Sequence, residues 1–229
     1  MEQSAHLPFS EGCRQACGSW WERSVRHPFV RALAQGALHP DQVAVYLEQD
    51  RLYLIDYVQI CLRLAEFSTQ ASDRNLFIES ARLSEEAEGS MQGVFRERLG
   101  LATRAPAGPL PATVAYTAHE RTCAAGGSRL VALAAATPCN WTYAEIGRWL
   151  GEASTCLLPD HPYVEWIALY AGNEVQTFAA RWVACLNRWA EGTSPVDRDA
   201  ARAAFVRSVA LEVSFWDQAW QAGPRSATP

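Results

Sequence analysis

Apolar residues recur along this chain at intervals of three and four, and nowhere do they alternate with polar residues over the length of a strand. That period puts one apolar stripe on each α-helix and predicts a chain built from helices alone. Ser10-Glu11 opens a run that passes Trp20 and Val25, stops near His27-Pro28, and resumes through Phe29, Val30 and Leu33 to Gly36. Pro40-Asp41 starts a long helix to about Phe67, with Asp41 as its N-cap. Ser72-Asp73 opens the next, which ends at Leu99-Gly100 and is dense in Glu85, Glu86 and Glu88. Prolines and a glycine between Thr103 and Pro111 predict a surface loop. Further helices are expected from Ala112 to Ala125, from Ser128 to Ala136, and from Pro138 to about Ser154. After a loop with Pro159 and Pro162, helix is expected from Tyr163 to Ala190, bent near Gly172, and from Asp197 to Gln221. No repeat or interdomain linker interrupts the pattern. Residues 1–229 are therefore expected to form one all-α domain, a bundle of about seven to nine helices, with 223–229 a disordered tail.

Composition narrows the partners. Hydrophobic residues make up 49% of the chain, enough for one sizeable core. A net charge of −5, with no basic cluster, argues against nucleic acid or an anionic membrane as the main partner. No apolar run approaches the roughly 18 residues that a membrane helix needs, and Met1-Glu2-Gln3-Ser4-Ala5-His6 lacks the pattern of a secretion signal. The seven cysteines, odd in number and scattered, do not form a disulfide framework and point to a reducing, cytoplasmic compartment. Cys13 and Cys17 share helical spacing without a second ligand pair, which favours core packing over a metal. No Glu-x-x-His pair of the di-iron kind occurs, and His27, followed by Pro28, suits a turn better than a haem ligand.

Candidate chemistry gathers at a few positions. Cys139 follows Pro138 at the start of an expected helix, where backbone N–H groups and the helix dipole favour a thiolate; the alternative is a small buried apolar residue. Tyr46, Asp50, Tyr53 and Tyr57 fall at i, i+4, i+7 and i+11 and share one narrow stripe. The stripe is either a half-buried face whose phenols reach water or the wall of a pocket for a flat ligand with an amino group. Tyr163, Trp166, Ile167 and Tyr170 repeat the spacing, and such a stripe is more often core than cofactor box. Glu212 lies in an apolar helix with Phe215 and Trp216 three and four residues on. Burial there raises a carboxyl pKa and suits proton transfer; the alternative is a rim residue paired with Arg207. Tyr116 and His119 share a face, and a lone histidine there is more often a satisfied core or rim residue than a ligand.

Taken in order, these segments resemble the TenA family of thiaminases II, on the haem-oxygenase-like helical fold. The residues that carry the resemblance include Trp20-Trp21, His27-Pro28-Phe29-Val30, Tyr46-Leu47-Glu48-Gln49-Asp50 with Tyr53-Leu54, and Tyr116-Thr117 with His119. It continues through Pro138-Cys139, Tyr143-Ala144-Glu145-Ile146-Gly147, His161-Pro162, Trp166-Ile167 with Tyr170-Ala171-Gly172, and Glu212 with Phe215-Trp216. The resemblance implies hydrolysis of 4-amino-5-aminomethyl-2-methylpyrimidine, and of thiamin itself, to 4-amino-5-hydroxymethyl-2-methylpyrimidine in thiamin salvage. By the same resemblance Cys139 matches the nucleophile, Asp50 the carboxylate that binds the pyrimidine, and Glu212 the proton-transferring acid. Tyr53 and Tyr170 match tyrosines near the cysteine and ring, Tyr116 matches a stacking aromatic, and Tyr143 and Phe215 line the pocket. It implies no metal, no organic cofactor and a homotetramer. Asn140 departs from the family pattern, where an aromatic is common, as does the long loop from Gly151 to His161 with Cys156. The rival functions are an aminopyrimidine-binding or regulatory protein without turnover, and an enzyme of the pyrroloquinoline-quinone synthase type, which would give Cys139 no role.

Overall fold

Ten α-helices and no strand run through residues 7–98, 100, 108–152 and 158–223, the part of the chain described by this computed structural model. Residues 224–229 of the expected tail, Cys156 and most of the Thr103–Pro111 loop lie outside the described residues. The helices are α1 (Phe9–Ala16), α2 (Ser19–Val25), α3 (Pro28–Ala34), α4 (Pro40–Phe67), α5 (Ala71–Arg98), α6 (Pro111–Ala125), α7 (Arg129–Glu152), α8 (Val164–Ala171), α9 (Asn173–Ala190) and α10 (Pro195–Trp220).

Local chemistry sets several boundaries, and in places it differs from the expectation. The N-cap of α4 is His39, not Asp41: His39 Nδ1 accepts from the Asp41 N–H at 3.2 Å, and Gln42 Oε1 accepts from the His39 N–H at 2.9 Å. This reciprocal box leaves Pro40 at the first helical position, where its missing N–H costs nothing. Ser194 caps α10 without a reciprocal bond: its Oγ accepts from the Asp197 N–H at 3.1 Å, with Pro195 at the first helical position. The first apolar run divides at Gly18, whose φ of 53° is open to glycine and strained for other residues. At Gly172 the chain leaves helical geometry with ψ 146°, so α8 and α9 are two helices rather than one bent helix. These two breaks each add a helix to the expected set.

The largest difference lies at Pro138. The helices expected on either side of it are one helix, α7, which carries Pro138 in its interior. Proline cannot donate to the carbonyl four residues back and crowds that turn, a penalty of about 3 kcal/mol in an isolated helix. Tertiary packing overrides it: Leu133, Ala134, Ala135 and Ala136 are wholly buried. The Thr137 and Thr142 hydroxyls donate to the Leu133 and Pro138 carbonyls, and Tyr57 Oη donates to the Ala136 carbonyl at 3.4 Å.

Four helices, α4, α6, α7 and α10, each touch the other three and form the centre of the bundle. α5 covers α4, and α8 and α9 lie along α7. The contact between α7 and α8 depends on Gly147. A Cβ there would stand 2.2 Å from the carbonyl carbon and oxygen of Tyr170, so only glycine lets the Tyr170 backbone lie against α7. Gln176 Nε2 donates to the Tyr170 and Ala144 carbonyls, both at 2.8 Å, and pins this contact from α9. At the far end of α5, Asp73 is buried but accepts from Trp189 Nε1 at 2.9 Å and pairs with Arg188. These bonds outweigh its burial and hold the carboxyl below its ordinary range. Cys13, Cys17 and Cys185 sit in the core as small apolar residues.

Candidate active site

The four mutually touching helices enclose a recess lined by Asp50 and Tyr53 from α4, Tyr116 from α6, Cys139 and Tyr143 from α7, and Glu212 and Phe215 from α10. It opens into a cavity of about 340 Å³ that shares Asp50, Cys139 and Tyr143 and adds Tyr46, Tyr57, Trp166 and Tyr170 to its wall. Seven of the residues singled out from the sequence therefore meet at one recess, and the eighth, Tyr170, lines the adjoining cavity. His119 is not among them. Its Nε2 lies 3.1 Å from the Ala204 carbonyl, the satisfied half-buried position expected of it. His27 caps α3 and contacts Asp217 at 3.1 Å, well away from the recess.

The aromatic walls are tied to one another. Trp166 Nε1 donates to Tyr46 Oη at 3.3 Å, and the Tyr143 hydroxyl reaches the same oxygen at 3.5 Å. Tyr143 and Tyr170 pack at 5.2 Å between centroids, and Trp166 lies 4.3 Å from Tyr170. Tyr46, Tyr57, Tyr143, Trp166 and Tyr170 are thus both packed in the core and part of the cavity wall, whereas Tyr163 and Ile167 of the second stripe are core only. A flat heteroaromatic ring suits such walls.

Glu212 is a buried acid and no rim residue. Only 2% of it is exposed, and Oε1 accepts from the Tyr116 hydroxyl at 2.9 Å. Burial pushes its carboxyl up to about 8; the Tyr116 hydrogen bond pulls the other way and the nearby Asp50 charge adds to the rise. Burial likewise pushes Asp50 up to about 7. Both carboxyl groups are thus raised by burial well above the ordinary carboxylate range, which suits an acid that holds a proton near neutral pH.

Cys139 differs from expectation. Because α7 runs unbroken through Pro138, the cysteine sits within a helix, with no free N–H groups and no dipole end to favour a thiolate. Burial pushes its thiol well above the usual range, the charges of Glu212 and Glu120 add to this, and the hydrogen bond from Tyr53 pulls the other way. No Arg or His lines the recess or the cavity among the described residues, and the chain contains no lysine.

The sequence reasoning passed over Glu120. It lies one turn beyond Tyr116 on the same face of α6, is 1% exposed, and its Oε1 accepts from the Tyr53 hydroxyl at 3.0 Å. Its Oε2 has no partner. The signal available in the sequence was its i, i+4 spacing from Tyr116.

Comparison with known proteins supplies the family. The TENA/THI-4/PQQC family model matches residues 14–222. The chain belongs to that family. Within it, the chain is 32% identical to the aminopyrimidine aminohydrolase of Halalkalibacterium halodurans, over 87% of this chain and 90% of that protein. It is 30% identical to the aminopyrimidine aminohydrolase of Bacillus subtilis, over 94% of this chain and 91% of that one. The TenA homologue from P. horikoshii superposes with a TM-score of 0.81 at 24% identity, covering 95% of this chain and all of that one, which establishes the shared helical fold. Among the described residues of this family member, no group of three or more His, Cys, Asp or Glu side chains is placed to hold a metal ion, and no helix is long and apolar enough to cross a membrane.

Proposed function

We propose that this chain is an aminopyrimidine aminohydrolase of the thiaminase II type. It hydrolyses 4-amino-5-aminomethyl-2-methylpyrimidine to 4-amino-5-hydroxymethyl-2-methylpyrimidine, with thiamin as a second substrate, in thiamin salvage. The observation that carries the proposal is the meeting of a thiol, a proton-holding acid and a second carboxyl group, Cys139, Glu212 and Asp50, at one aromatic-walled recess. The aminopyrimidine ring lies between the tyrosine walls with its amino group and ring nitrogen on Asp50.

The steps follow from the groups present. The Cys139 sulfur bonds to a ring carbon as the thiol proton passes to the ring nitrogen beside Asp50, and aromaticity is lost. Electron density then expels the amine from the exocyclic carbon. It takes the Glu212 proton and leaves as ammonia. Water adds its hydroxyl to that carbon and returns a proton to Glu212. The carbon–sulfur bond breaks, the ring proton returns to sulfur, and the ring is aromatic again. Tyr53 holds the sulfur side, Tyr170 lines the adjoining cavity, Tyr116 holds Glu212 in place, and Tyr143 and Phe215 pack the ring.

Apolar Ile55 and Leu62 on α4 and Ile78 on α5 are exposed, which supports their burial in a homotetramer. The six cysteines of the described residues are free, in keeping with the cytoplasm. Sedimentation of the purified protein tests the tetramer. For the activity, the protein is incubated with the aminomethyl pyrimidine, and the hydroxymethyl product is followed by chromatography. Wild type is expected to turn over, and Cys139→Ser to bind substrate with turnover lowered at least about 10³-fold. Turnover retained in Cys139→Ser removes the cysteine from the chemistry.

A further inference from the structure

Burial without any cation leaves Cys139 with one group that favours its thiolate, the hydroxyl of Tyr53. That hydroxyl has a single hydrogen and two claimants, the sulfur and Glu120 Oε1, which stands 3.0 Å away. Which of them receives it depends on the state of Glu120. An ionised Glu120 would be an anion with one hydrogen bond, an unpartnered Oε2 and 1% exposure, a costly arrangement. The neighbours offer no relief. From α4, Tyr53, Asp56, Tyr57 and Cys61 bear on this pocket of charge; Cys139 comes from α7 and Glu212 from α10; the α6 turns beside Glu120 add Tyr116 and Cys123. None of these is a cation. A neutral carboxylic acid has one oxygen that accepts and one O–H that donates, so it can end a hydrogen-bond chain of either direction.

We propose that Glu120 is a positioning residue for the cysteine: as a neutral acid it accepts the Tyr53 hydrogen while Cys139 is a thiol, and donates its own to Tyr53 Oη when Cys139 is a thiolate, so that the Tyr53 hydroxyl turns onto the sulfur. Glu120 touches no reacting atom and acts through Tyr53. No proton is gained or lost in the reversal; two hydrogens change partners. The proposal rests on the assignment of Cys139 as nucleophile.

The test separates the two claims. Alkylation of Cys139 by iodoacetamide is followed by peptide mass spectrometry from pH 6 to 10, with and without substrate protection, in wild type, Glu120→Gln and Glu120→Met. The carboxamide can also accept from and donate to Tyr53, so Glu120→Gln is expected to keep the wild-type alkylation profile and kcat to within about threefold. The thioether cannot donate, so Glu120→Met is expected to move the Cys139 titration to higher pH. It should slow alkylation at pH 8 and kcat together by about three- to tenfold, the worth of one hydrogen bond, with KM little changed. Faster alkylation in both variants would mean that Glu120 is an anion opposing the thiolate, and would overturn the proposal. Unchanged profiles in both would reduce Glu120 to packing and overturn it equally. Should Glu120→Met not fold, Tyr53→Phe removes the same donor and is expected to shift the same titration in the same direction; an unshifted profile overturns the proposal. In each of these cases Cys139→Ser still reports separately on the nucleophile.

Discussion

Replacing Gly147 with alanine tests whether a backbone contact remote from the reacting atoms sets the rate. The added Cβ would lie 2.2 Å from the Tyr170 carbonyl carbon and oxygen and 2.6 Å from its Cβ. Ordinary contact begins at 3.4 Å, so α8 must retreat by about an ångström. Two effects on stability oppose each other. Alanine in a helix interior gains about 1 kcal/mol over glycine, while overpacking against a rigid backbone costs about 1–3 kcal/mol. A net loss of up to about 2 kcal/mol lowers Tm by roughly 4–8 °C in a chain of this size. The effect on turnover is larger, because Tyr170 is carried away from Cys139 and Tyr143, and an ångström of misplacement costs on the order of 10²-fold in rate. The assay pairs thermal unfolding with kcat for the aminomethyl pyrimidine. Gly151→Ala is the control: its Cβ would meet the Ala171 methyl at 2.8 Å, one turn farther from the recess, so it is expected to lower Tm with kcat largely kept. If Gly147→Ala melts and turns over like wild type, α8 does not depend on this contact and the argument for the placement of Tyr170 fails.

Other outcomes follow from the buried acids. The Glu212 pKa of about 8 predicts that kcat falls above about pH 8, as the acid that protonates the amine loses its proton. Tyr116→Phe removes the donor that favours the Glu212 carboxylate, so the alkaline limb of kcat should move to higher pH; a limb that stays in place separates Glu212 from it. Because the folded-state pKa of Glu212 lies above its unfolded value of 4.5, the folded protein binds this proton more tightly, and the associated stability is full below 4.5 and is lost as pH rises towards 8. Glu212→Gln should therefore raise Tm more at pH 9 than at pH 5 while lowering turnover by at least about 10²-fold. Equal melting shifts at the two pH values would contradict the buried-acid assignment. At the edge of the fold, Asp73→Ala strips Trp189 Nε1 of its acceptor and should cost about 2–4 kcal/mol in denaturant unfolding with kcat unchanged in the remaining folded protein.

Hydrophobic period and residue type were enough for the helical class, the stripes and most members of the candidate site. Period 3.6 is a local property, so Tyr46, Asp50, Tyr53 and Tyr57 had to share a face once α4 formed, and Glu212 had to fall among apolar neighbours on α10. Hydrogen-bond partners were beyond reach in sequence terms, because Tyr53 and Glu120 are 67 residues apart and Tyr116 and Glu212 are 96 apart. In the sequence Glu120 stands beside Arg121 with nothing that marks it as buried, and only the closing of α4, α6, α7 and α10 on one another buried it. The environment of Cys139 was decided the same way. A proline in an isolated segment ends a helix, but the packing of α7 against the other three carries the helix through Pro138. The thiol expected at a helix end, with its dipole, lies instead in a helix interior among carboxyl groups. Propensity is a matter of a few kcal/mol that neighbours along the chain can set; burial and charge depend on neighbours across the fold, and these exist only once the bundle has closed.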